Sequence, residues 1–422
     1  MNILYLLSQR PEMTGSGVYV TELMRCAVQY GINTALLAGT PCDCGVPEEV
    51  HGVSRLLAEV RFGRDLPFPV TGMSDVMPYP SSRWSDLSRE QLDDYVTVFA
   101  RELKRMVEVF RPDVIHANHL WLLTSIARDL FPHIPVIASC HGSDLRQFVN
   151  LPHLAERIRP NCQRLDAVLA LSAAQARTIE ELYAIPVDRI HVVGAGYSSA
   201  VFHETPASGR DSVRILYAGK LSRAKGVPWL LRACKELDVP FRLDLCGGGS
   251  GEDAALCRTL ADQVNERFGA DVVTLHGNVS QRRLAELMRQ AEVFVLPSFF
   301  EGVPLVLLEA LACGCRLVAT DLPGVREVFS DASSGLIRMV PLPRLLHADE
   351  PVQEDEEAFC RRLKEALHAQ LAPAVSPEVL RTERASLLRD ASWDAVFKRT
   401  LAVYRLVGRN GTAAIDIPII AD

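Results

Sequence analysis

Ser298-Phe-Phe-Glu-Gly-Val-Pro-Leu-Val-Leu-Leu-Glu-Ala-Leu-Ala-Cys-Gly314 sets two carboxylates, Glu301 and Glu309, around an apolar run. Proline is favoured at the first position of a helix and glycine just past the last. The spacing therefore predicts a short helix from about Pro304 to Cys313, with Glu301 on the loop at its positive end. Free backbone N–H groups at such an end bind hydroxyls, carboxylates and phosphates. Glu309 falls about one and a half turns further along, where it reaches a different part of the same ligand. The alternative is that Glu309 caps or pairs within the core. A carboxylate among Leu305, Val306, Leu307, Leu308, Ala310 and Leu311 is costly without a partner.

Working outward, short strands of branched apolar residues alternate with amphipathic helices along the whole chain. Expected strands are Ile3–Leu7, Ala35–Ala38, Val114–His116, Val136–Ser139, Ala167–Leu171 and His191–Val193, then Arg214–Ala218, Arg242–Cys246, Val272–His276, Val293–Pro297 and Leu317–Thr320. Helices such as Val18–Tyr30, Leu92–Phe110, Gly226–Leu237 and Leu284–Gln290 fall between them. The strand runs are continuously apolar, as strands buried on both faces of a parallel sheet are. The class is α/β. At 422 residues the chain is too long for one ordinary core, and Phe202–Asp211 has linker composition. The expected division is residues 1–205, 206–390 and a terminal 391–422, with a last helix from about Trp393 to Val407 that Ser392 caps.

Composition narrows the function classes. An apolar content of 48% and a charged content of 23% describe a soluble globular protein, and a net charge of −7 argues against a nucleic-acid binder. The eleven cysteines are scattered, several in apolar runs (Cys26, Cys140, Cys246, Cys313), as buried thiols of a reducing compartment are. Cys42-Asp-Cys44 and Cys313-Gly-Cys315 have no partner pair at zinc spacing, so no metal site is expected. The N-terminal stretch lacks the basic flank of a signal peptide, and no run approaches the ~18 apolar residues of a membrane span. The expectation is a cytoplasmic protein.

Four further segments bear on the chemistry. The first strand runs into a loop with Gly15-Ser16-Gly17 before a helix, a standard place for a diphosphate. A nicotinamide fingerprint needs a third glycine where Val20 stands, which disfavours that cofactor. After Arg214–Ala218, the loop Gly219-Lys-Leu-Ser-Arg-Ala-Lys-Gly226 crowds Lys220, Arg223 and Lys225 at a strand's carboxyl end, which suits an anionic group. Gly247–Gly251 follows the next strand and either lets backbone approach a ligand or is a plain turn. In Cys140-His-Gly-Ser-Asp144, His141 can exchange a proton or bond a sugar hydroxyl, and Asp144 can bond hydroxyls. For His141, as for His116 and His119, a structural role is the competing reading.

Taken in order, Gly15-Ser-Gly17, Asp113-Val-Ile-His116, Cys140–Asp144, Gly219-Lys-Leu…Lys225-Gly226, Leu275-His-Gly-Asn278-Val279, Leu296-Pro-Ser298, the Glu301…Glu309 pair and Ala312-Cys-Gly314 resemble the retaining GT-B glycosyltransferases of family 4 over nearly the whole chain. The resemblance implies two Rossmann-like domains with parallel sheets facing across a cleft, and a C-terminal helix crossing back to the first domain. It implies a nucleotide-sugar donor (UDP-, GDP- or ADP-linked), no bound cofactor or metal, and an unidentified hydroxyl acceptor that is a small molecule, a glycan or lipid-linked. Glu309 would bind the ribose, Lys220 and Lys225 the diphosphate, with Gly17 and its neighbours Gly15 and Ser16 closing over it. Glu301 and the backbone of Gly302, Val303, Pro304 and Leu305 would hold the sugar from one side and His141 from the other. Asn278 falls in the stretch expected to meet the base, and Asp144 and His119 fall among residues expected to meet the acceptor.

The chain departs from the family pattern at Lys220, where arginine is usual, at Pro304, where glycine is usual, and at Gly194–Ser198, which replaces Asn-Gly-Val-Asp. An epimerase or hydrolase of the same fold, or a non-catalytic nucleotide-sugar binder, are the competing functions. The loop Arg61–Arg89, with Phe62, Phe68, Tyr79 and Trp84, is read as covering an acceptor, making weak peripheral contact with a membrane, or packing on its domain.

Overall fold

The computed structural model describes residues 1–11, 14–74, 77–205, 213–301, 304–330, 332–347, 349–371 and 375–408. Two compact units divide the chain: Met1–Ala170 with Ile179–Val193 and the residues from Phe397 onward, and Leu171–Thr178 with Gly194–Val396.

The first unit is built on β1 (Asn2–Leu7), β2 (Asn33–Pro41), β3 (Leu56–Phe62), β6 (Val114–Asn118), β7 (Val136–Ser139), β8 (Ala167–Ala170) and β9 (Ile190–Val192), with a short side pair, β4 (Val70–Gly72) and β5 (Ser81–Arg83). The sheet order is β3-β2-β1-β6-β7-β8-β9 and every pairing is parallel. In β1, residues Ile3 to Leu7 are wholly buried, because helices cover both faces of the central strands. β3 was not expected. It lies at the edge and alternates buried Ala58, Val60 and Phe62 with more exposed residues, so it lacks the continuous apolar run of the inner strands.

Gly15–Gln29 forms the first helix, with the Thr14 side chain accepting the Gly17 N–H at 3.1 Å. A capping box of Ser88 and Gln91 starts Arg89–Phe110. Around it, Phe62, Phe68 and Trp84 are buried, with Trp84 meeting the Tyr95 and Trp121 rings edge-on. Phe62, Phe68 and Trp84 of that loop pack on the domain, while Tyr79 is half-buried and its hydroxyl accepts the Arg10 N–H at 3.3 Å.

The second unit carries β10 (Val213–Ala218), β11 (Phe241–Cys246), β12 (Val273–Gly277), β13 (Val293–Leu296), β14 (Arg316–Thr320) and β15 (Ile337–Val340) in the order β12-β11-β10-β13-β14-β15, again all parallel. The helix expected after β13 spans Leu305–Ala312, with Pro304 before it and Cys313 after it.

The last helix spans Trp393–Val407, and the Ser392 hydroxyl accepts the Ala395 N–H at 3.2 Å. From Phe397 it belongs to the first unit, where the Phe397 ring lies 5.3 Å from Tyr30. There Tyr404 donates to the Tyr5 hydroxyl at 3.0 Å and accepts from His116 Nδ1 at 2.6 Å. His116 Nε2 meets Ser139 Oγ at 2.8 Å, so this buried histidine is spent on structure.

Candidate functional site

In the second unit the loops after β10, β11 and β13 meet at the carboxyl end of the sheet. Gly219 N–H donates to the Cys246 carbonyl at 2.9 Å, and Leu221 N–H to the Gly248 carbonyl at 3.0 Å. A Cβ on Gly247 (φ +135°) would stand 1.9 Å from the Gly219 oxygen. One on Gly226 (φ +71°) would stand 2.0 Å from the Pro297 oxygen. Only glycine allows these approaches.

The lacing has a chemical consequence. Phe299 N–H donates to the Ala224 carbonyl at 3.0 Å, which holds the β10 loop against the β13 loop. Lys225 Nζ then lies 2.7 Å from Glu301 Oε1, with the two side chains 27% and 18% exposed. Burial and the nearby Glu301 carboxylate push the Tyr217 hydroxyl well above its usual range, so it stays protonated and donates to the Lys220 carbonyl at 2.7 Å. Arg223, by contrast, is spent on Asp253, at 3.3 Å between the charged groups and 2.9 Å from its own N–H.

Glu309 is half-buried on the Leu305–Ala312 helix, and among the described residues no side chain caps that helix start. Gly302 and Val303 lie outside the described residues. The Asn278 amide packs on Gly248, with its Oδ1 3.0 Å from where a Cβ would stand. Sequence reasoning missed Asp244, a buried carboxylate in β11 that accepts from His276 Nε2 at 2.6 Å and pairs with Arg214 at 3.3 Å. A single Asp inside an apolar strand gave no signal of which neighbours it would meet.

The first unit gathers Gly15, Ser16, Gly17, His119, His141 and Asp144 at the carboxyl ends of β1, β6 and β7. Gln9 Nε2 donates to Thr14 Oγ1 at 2.9 Å and to Ser16 Oγ at 2.8 Å, and Ser16 Oγ lies 2.9 Å from His119 Nε2. His141 is flanked by the His119 and Tyr19 rings, each with its centroid 4.9 Å away. Its Nε2 lies 3.2 Å from Asn118 Oδ1. Asp144 is fully buried and accepts from the N–H groups of Leu120 (2.9 Å) and His141 (3.1 Å) and from the Cys140 thiol (3.3 Å). Burial pushes both His119 and His141 down to about 3, the His119 ring lowering His141 further and Asp144 partly opposing it, so both are neutral at pH 7. His119 also holds a left-handed backbone (φ +80°), which a histidine adopts only when its surroundings fix it.

Residues 13–200 match the family model described as Glycosyltransferase Family 4, and residues 212–367 match the one described as Glycosyl transferases group 1. The chain belongs to glycosyltransferase family 4. Among curated relatives of this family 4 chain, an alpha-maltose-1-phosphate synthase of Mycolicibacterium smegmatis is 26% identical over 86% of this chain and 97% of its own length. A D-inositol 3-phosphate glycosyltransferase of Thermobispora bispora is 28% identical over 76% and 77%. The fold is also that of Anabaena HepE, solved in complex with UDP and glucose, at a TM-score of 0.65 and 14% identity over 96% of this chain and all of that one. This is the GT-B fold. No helix among the described residues is long and apolar enough to cross a membrane.

Proposed function

We propose that this family 4 glycosyltransferase moves a hexosyl group from a nucleotide-sugar donor to a hydroxyl acceptor, with retention of configuration and without a metal ion. The observation that carries the reading is the Lys225–Glu301 ion pair at 2.7 Å, held between two loops that glycine contacts pin together. Breaking the anomeric bond develops positive charge on the sugar and negative charge on the departing diphosphate. Lys225 and Lys220 answer the negative charge, helped by the uncapped N–H groups at the start of Leu305–Ala312. Glu301 orients Lys225 and holds a sugar hydroxyl, and Glu309 binds the ribose. Neither acts as a nucleophile: a donor phosphate oxygen takes the acceptor's proton as the new bond forms on the face the diphosphate leaves.

In the first unit, the start of the Gly15–Gln29 helix offers N–H groups of the kind that bind a diphosphate, and His141 a ring of the kind that bonds a sugar hydroxyl. Asp144 and His119 were expected to meet the acceptor. With Asp144 buried and its oxygens occupied, the reading makes it a positioning residue for the His141 backbone. His119 likewise positions Ser16. The relatives' names speak for a small acceptor: one is named for D-inositol 3-phosphate and the other for a maltose phosphate product. The UDP in the Anabaena complex makes UDP-glucose the first donor to try, ahead of GDP- and ADP-sugars. Calorimetric titration of the protein with UDP-glucose, then the others, tests the donor site. One donor binds wild type, and Glu309→Ala weakens it at least about tenfold, the loss of a ribose contact worth about 1.5–3 kcal/mol. Equal binding by the variant would remove Glu309 from the site.

A further inference from the structure

A polar line crosses the sheet of the second unit. Asp244 is 6% exposed in β11, between the wholly buried Leu243 and Leu245. A carboxylate there is costly unless its oxygens are satisfied. Its Oδ1 accepts from His276 Nε2 of β12 at 2.6 Å, and its Oδ2 from Arg214 of β10 at 3.3 Å. In register, Asp244 stands beside Leu216 on one side and Thr274 on the other. Arg214 lies two positions before the first and His276 two positions after the second, so the line runs diagonally over three strands and ends at His276.

His276 is also where β12 leaves its register. Leu275 stands beside Leu245, but the next residue of β11, Cys246, stands beside Gly277. His276 is the extra residue of this bulge, and a bulge re-aims the chain next to it. Gly277 follows with a left-handed backbone (φ +65°), and its carbonyl accepts the Gly247 N–H at 2.7 Å. Asn278 then packs on Gly248. The grip of Asp244 on the His276 ring thus fixes where the β12 loop meets the glycine loop after β11.

Charge separates these two loops from their neighbours. Lys220 and Lys225 follow β10 and Glu301 follows β13, whereas residues 247–251 and 277–280, after β11 and β12, carry no charged side chain. The sheet order β12-β11-β10-β13 sets the uncharged loops together on one side of the cations. Glycine backbone beside an uncharged amide suits a flat, uncharged group that comes close to the chain.

We propose that Asp244 and His276 are positioning residues for the donor's nucleobase: through the bulge they set the β11 and β12 loops on which the base lies, and so govern which base is accepted. The inference rests on the proposed nucleotide-sugar donor and adds to it the part of the site that reads the base. Both residues act through the backbone of Gly247 and Gly277 rather than by touching the base. Removing the ring's N–H leaves a buried carboxylate oxygen without its partner and the bulge unpinned.

The test uses full-length protein with His276→Phe, which keeps a ring without a donor, and His276→Gln, whose amide supplies an N–H to Asp244 in place of Nε2. Amide hydrogen exchange of the ligand-free protein, read by mass spectrometry, reports the loops. Peptides covering Gly247 and Gly277 exchange faster in His276→Phe and return toward wild type in His276→Gln, while those of β13 do not change. Calorimetric titration with UDP, CDP, GDP and ADP reports the selection. Wild type prefers one of the four; His276→Phe weakens that one by about five- to thirtyfold and the others by less than about twofold. His276→Gln recovers most of the preference. Unchanged exchange around Gly247 in His276→Phe, or an equal loss for all four nucleotides, would overturn the inference. Wild-type protein that binds none of the four, with exchange following the variants as stated, would sink the proposed function and the reading of the base with it, and leave only the pinning of the loops standing.

Discussion

At the scale of single residues, the ion pair of Lys225 and Glu301 is the point on which the chemistry turns. The two stand 76 positions apart in sequence, and each was a candidate by itself. Their pairing was not legible, because it depends on backbone contacts at Gly226, Gly247 and Phe299 that composition does not reveal. If the proposed function holds, Lys225→Ala removes a cation that meets the leaving diphosphate, and kcat falls about 100- to 1000-fold with the fold intact, in the range seen when one stabilising donor is lost. Lys225→Arg recovers part of that rate, since the charge returns in a different geometry. A steady-state rate within threefold of wild type for Lys225→Ala would place the diphosphate elsewhere. Asp144 shows the complementary limit. Its residue type announced a polar site, but only the fold shows that its oxygens face backbone.

Elements were more legible than residues. Inner strands such as β1 and β13 read directly, since a strand covered on both faces must be apolar throughout. The helix with Glu309 read from its flanking Pro304 and Gly314. In the two main sheets, two strands were missed for physical reasons: edge strand β3 alternates, and β15 is four residues long with Arg338 and Met339 half-exposed. Loop packing carries its own prediction. Gly226→Ala brings a methyl group to 2.0 Å from the Pro297 oxygen at a left-handed backbone position, so the loop must move or the unit destabilise. A loss of about 2–4 kcal/mol is expected in chemical denaturation, together with weaker donor binding. Gly251→Ala, where no atom stands within 4 Å of the added Cβ, costs less despite a similar φ. Equal losses at the two positions would show that the close approach contributes nothing.

For the whole molecule, buried neutral histidines tie stability to pH. His116, His119 and His141 are each held by burial at about 3, against an ordinary 6.5. Between those values the unfolded chain takes up protons that the folded chain does not, so stability is level above about pH 7 and falls as pH drops from 6.5 toward 3. Thermal melts at pH 7.5 and 5 should show the decrease, and His116→Gln, which removes one of the three groups, should flatten it. A melting temperature independent of pH over that range would mean that these histidines protonate without unfolding. The central claim, nucleotide-sugar glycosyl transfer supported by the second unit's cations, is tested most directly by product analysis. The protein is incubated with EDTA, UDP-, GDP- and ADP-sugars in turn and a set of hydroxyl acceptors including inositol phosphates. Released nucleoside diphosphate is measured by chromatography, and the anomeric configuration of the product by proton NMR. The account predicts diphosphate release from one donor class, a product with the donor's own α configuration, and loss of both in Lys225→Ala. An inverted product, a requirement for added metal, or undiminished release by the variant would contradict it.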